Sequence, residues 1–222
     1  PIELYRRLKL NVDLCEELNA SIYSFPMKYH PIRKTDDMKE DYSHNRDFIG
    51  QHWNRKYIRA VQAVLNSTKG KIGRGKSFFE KAFGKDINDY HKLLEMPETM
   101  IIYRFFFEWL GSDIAKTTAR ELFGNDEICD SSTDSWWNTY NKCKNSVSKE
   151  IWETVVEVIH KNEFDYSSQQ FTEPQILKLL SYYDNLREAV IKDGTLLSKM
   201  KQVYDLNPTL EAKRHAKGHN ND

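Results

Sequence analysis

The side chains with the most evident chemistry lie between residues 45 and 83. Residues 70–77 read GKIGRGKS and fit the phosphate-loop pattern G-x-x-x-x-G-K-[ST] letter for letter. In that motif backbone amides wrap the phosphates, the lysine (here Lys76) reaches the terminal ones, and the serine (Ser77) ligates Mg²⁺. The motif also needs a buried strand immediately before the loop. Here Tyr57, Ala60, Val61 and Val64 keep a helical period up to the loop, so the sequence predicts a basic connector between helices, with Lys76 a surface base.

A second cluster, His52-Trp53-Asn54-Arg55-Lys56, opens the same stretch. On a helix Arg55 and Arg59 lie four residues apart, as do His52 and Lys56. Guanidinium groups bind phosphate or carboxylate bidentately, so His52, Asn54, Arg55, Lys56, Arg59, Arg74 and Lys76 form a candidate substrate- or anion-binding set. Between positions 55 and 81 the bases also include Lys69, Lys71 and Lys81, against the single acid Glu80. The bland alternative makes Trp53 a core anchor and the charges a solvated face.

No catalytic pattern completes itself elsewhere. His44, His52, His91 and His160 stand apart from any nucleophile signature, and neither HExxH nor GxSxG occurs. His215 and His219 sit in a polar tail. Cys15, Cys129 and Cys143 are unclustered, which suits a reducing, cytoplasmic setting rather than a disulfide framework. They offer no metal site. The 33 bases and 33 acids balance to a net charge of +0, so any anion site must be local. Mean hydropathy is -0.73 and no apolar run approaches a membrane span, so no membrane partner is expected.

The elements that must position these residues are mainly helices. Leu4, Leu8, Val12, Cys15 and Leu18 predict a helix over 1–19, and residues 20–27 predict a short strand ending near Pro26. A lone strand needs a sheet to pair with, so a longer parent protein is expected, of which this would be a C-terminal piece. Further helices are predicted over 46–65, 77–83, 86–94, 100–109, 113–123, 135–143, 148–160, 176–190 and 196–204, with Asp86 as an N-cap. The organisation expected is a helix–strand unit over 1–35, a basic helical region over 36–125, a C-terminal helical region over 126–206 and a disordered tail over 207–222.

Residues 22–32, IYSFPMKYHPI, followed by RDFIGQHWNRKYIRAVQAVLNSTKGKIGRGKSFF, resemble the C-terminal part of certain radical S-adenosylmethionine proteins. The resemblance implies that the first helix and strand close a partial α/β barrel and that the later helices form an extension. It places Pro26, Met27 and Tyr29 near the barrel mouth, with the basic segment facing or covering substrate. It implies S-adenosylmethionine and a [4Fe–4S] cluster for a full-length protein, and an upstream barrel as the partner. The family's C-x-x-x-C-x-x-C triplet does not occur here, so this chain should bind neither by itself. The function expected is assistance to substrate binding or barrel closure. The alternative is a stand-alone helical module that binds nucleic acid or another anionic partner through 55–81.

Overall fold

The computed structural model describes residues 1–20, 26–34, 36, 47–68, 75–102, 133–162, 166 and 170–184. These residues are helical wherever they are regular, and no strand occurs among them. The mainly α expectation therefore holds for them. The expected N-terminal helix–strand unit gains no support: residues 21–25 lie outside the described set, and Pro26 and Met27 are irregular.

The chain divides into two compact units. The first comprises residues 1–96 and 156–162, the second 97–155 and 163–222. In the first unit, α1 (Ile2–Glu17) buries Tyr5, Leu8 and Val12, three positions on one helical stripe. It closes with Asn19 at a φ of 46° and the Ala20 amide on the Cys15 carbonyl at 3.1 Å, a left-handed stop that asparagine tolerates. α2 (Arg55–Ser67) starts at Asn54, whose side chain accepts from the Tyr57 amide at 2.8 Å. The helix predicted over 46–65 is thus shorter at its front. The Trp53 amide turns back to the Gly50 carbonyl at 2.8 Å, and Asn54 is extended, so helical backbone cannot run through them.

α3 (Lys76–Phe83) ends at Gly84. That residue has a φ of 97°, and a Cβ there would stand 2.5 Å from Asp89 Cβ, so only glycine fits. α4 (Ile87–Glu95) starts at Asp86, the predicted cap, whose carboxylate accepts from the Asn88 and Asp89 amides at 2.8 and 2.9 Å. α1 packs on α3 and α4, and α2 packs on α4. Tyr5, Phe79, Phe83 and Tyr90 fill the centre, with ring centroids 5.2–6.4 Å apart.

In the second unit α5 (Thr133–Ser146) packs against α7 (Pro174–Asp184), and α6 (Lys149–Lys161) runs through 155 before its last turns join the first unit. α5 buries Trp136, Tyr140 and Cys143, and α7 buries Ile176, Leu179, Leu180 and Tyr183. Pro174 occupies the first helical position of α7, where a missing amide costs nothing. Residues 98–102 are helical and Met100, Ile101 and Ile102 are buried, but 103–109 of that predicted helix lie outside the described residues. So do the helices predicted over 113–123 and 196–204, the boundary expected at 125–126 and the tail over 207–222. Among the described residues no helix is long and apolar enough to cross a membrane.

Two buried tyrosines in the first unit differ in one respect that stability can read. Tyr5 donates to the Gly84 carbonyl at 3.1 Å, whereas the Tyr90 hydroxyl is buried without a partner. Tyr5→Phe should cost about 1 kcal/mol, while Tyr90→Phe should be neutral or stabilising because it deletes an unsatisfied polar group. Chemical denaturation of both variants checks the contrast.

Candidate functional site

Lys56 sits on the buried stripe of α2 with Ala60, Ala63 and Val64, and its side chain is 0% exposed. Its Nζ donates to the Leu94 carbonyl at 3.1 Å and to the Met96 carbonyl at 2.5 Å. These oxygens belong to the C-terminal end of α4, where carbonyls lack intrahelical partners and the helix dipole is negative. A cation there satisfies two acceptors and complements the dipole at once. Four carbons of side chain let it reach from α2 across the apolar contact.

The residue between those two carbonyls carries a carboxylate. Glu95 Oε1 accepts from the Tyr57 hydroxyl at 2.6 Å, and His160 Nε2 lies 3.0 and 3.1 Å from Oε1 and Oε2. The Tyr57 and His160 rings meet edge to face with centroids 5.0 Å apart. α2 thus supplies Lys56 and Tyr57, α4 supplies Glu95, and the last turns of α6 supply His160, all within the first unit.

Burial by itself would push the Glu95 carboxyl up. The hydrogen bond from His160, the charge of that imidazole, the Tyr57 hydroxyl and the Lys56 ammonium outweigh it and hold the carboxyl below its ordinary range. Tyr57 moves the other way: burial first, then the neighbouring Glu95 charge, keep its phenol protonated well above the ordinary tyrosine range. The pair is therefore a carboxylate acceptor and a phenol donor. Because Glu95 is ionised, His160 Nε2 must carry the proton in that contact.

The residues singled out in the sequence fall into several environments. Asn54 is the cap of α2, and its side chain is engaged by the Tyr57 amide. Lys56 is turned inward. His52 is exposed in a turn ahead of α2, so it does not share a helical face with Lys56. Arg55 and Arg59 do share α2; Arg55 is exposed, and Arg59 is half-buried with its guanidinium on Gln62 Oε1 at 3.2 Å. Lys76 is exposed at the start of α3, and Arg74 lies outside the described residues. Pro26 is half-buried, while Met27 and Tyr29 are exposed, Tyr29 meeting Phe48 edge to face at 5.6 Å.

The residues flanking the phosphate-loop pattern behave as the spacing predicts. A helix, α2, leads into it and α3 follows it; 69–74 lie outside the described residues. The first amide of α3, that of Lys76, donates to Glu16 Oε1 at 2.8 Å. A carboxylate of the chain itself thus occupies the helix N-terminus where a phosphate would bind.

Among the described residues no group of three His, Cys, Asp or Glu side chains could hold an ion. Cys15 lies in the first unit and Cys143 in the second, where burial and the Glu173 charge push its thiol up, away from the thiolate a cluster needs. Compared with protein-family models, with curated proteins and with solved structures, the chain finds no match.

The lowered Glu95 carboxyl gives a pH prediction. Its stabilisation is complete above the ordinary carboxylate value of 4.5 and is lost as pH falls through the lowered folded-state value. Glu95→Gln should reduce stability at neutral pH and flatten the loss of stability below about pH 4.5 relative to the parent. Urea titrations across that range check it.

Proposed function

We propose that this chain is the C-terminal helical portion of a radical S-adenosylmethionine enzyme, assisting substrate binding or closing the barrel, and not catalytic in radical chemistry by itself. The observation that carries the reading is the resemblance of 22–32 and of the segment from 46 through the GKIGRGKS loop to that family's C-terminal part. The exposure of Met27, Tyr29 and Ile32, at 83, 67 and 92%, supports it. Three large apolar side chains uncovered in six residues are what a segment leaves when its covering surface is elsewhere. The resemblance puts this segment at the barrel mouth. In this reading S-adenosylmethionine and the [4Fe–4S] cluster are held by residues upstream of this chain, in the barrel that is its partner.

A second reading is a helical module for an anionic partner such as nucleic acid. It is favoured by Arg55, Lys76 and Lys81, all exposed on a chain of balanced charge. The two readings separate cleanly. The coding sequence upstream of Pro1 should encode a barrel bearing C-x-x-x-C-x-x-C. Anaerobic reconstitution of the longer product should then give stoichiometric iron and cluster absorption, and the present chain alone should give none. An upstream sequence without the triplet, or a full cluster on this chain alone, would overturn the first reading. In that event polyanion binding that weakens on charge reversal at Arg55 and Arg59 and falls with salt would support the second.

A further inference from the structure

No further inference is drawn: the strongest candidate, the exposed apolar patch of Met27, Tyr29 and Ile32 in the segment ahead of α2, already supports the proposed reading, and nothing in the structure shows what else covers it.

Discussion

The ammonium of Lys56, buried against the end of α4, is the constraint on which the first unit turns. A helix that ends in the interior leaves carbonyls that water cannot reach, and each costs on the order of 1–3 kcal/mol if it stays unpaired. Lys56 answers two of them from the neighbouring helix. The same charge adds the smallest of the contributions that keep Glu95, the last residue of α4, an anion in a largely buried place; the His160 imidazole supplies the largest. That anion in turn collects the Tyr57 hydroxyl and the His160 imidazole. Removing one member leaves the others as uncompensated polar groups, which is how a small buried network specifies a single packing.

Local backbone chemistry was the most legible part of the sequence. The Asp86 cap, the end of the helix at 83 and the apolar stripe of α1 can all be read directly, because each depends on neighbours a few residues away. The start of α2 was misplaced because Phe48, Ile49 and Trp53 extend the helical period across a turn. Asn54, which the run of polar residues offers to an anion, is instead the cap that ends that turn. Position 20–27 read as a strand only from its alternating aromatics, and that pattern cannot show whether a pairing strand exists.

The site was less legible, for a physical reason. Lys56 stands in a run of bases, and a lysine in such a run is ordinarily solvated. Its one distinguishing signal is phase: it lies four residues before Ala60 and eight before Val64, on the apolar stripe rather than opposite it. Glu95 and His160 are 65 residues apart and neither sits in a motif, so only the fold brings them together. Among its described residues the basic segment contains two populations. Asn54 and Lys56 serve the fold, while Arg55, Lys76 and Lys81 face solvent.

The most direct test of this account is a double-mutant cycle in chemical denaturation between Lys56→Met, which keeps the alkyl volume and removes the charge, and Glu95→Gln. Lys56→Met alone should cost about 2–5 kcal/mol, because it leaves the Leu94 and Met96 carbonyls buried without their donor and removes one of the charges that keep Glu95 ionised. The cycle should show a coupling energy of about 1–3 kcal/mol, the double variant being more stable than the sum of the single losses predicts. Strict additivity of the two substitutions, or a Lys56→Met variant as stable as the parent, would contradict a fold organised around the buried ammonium.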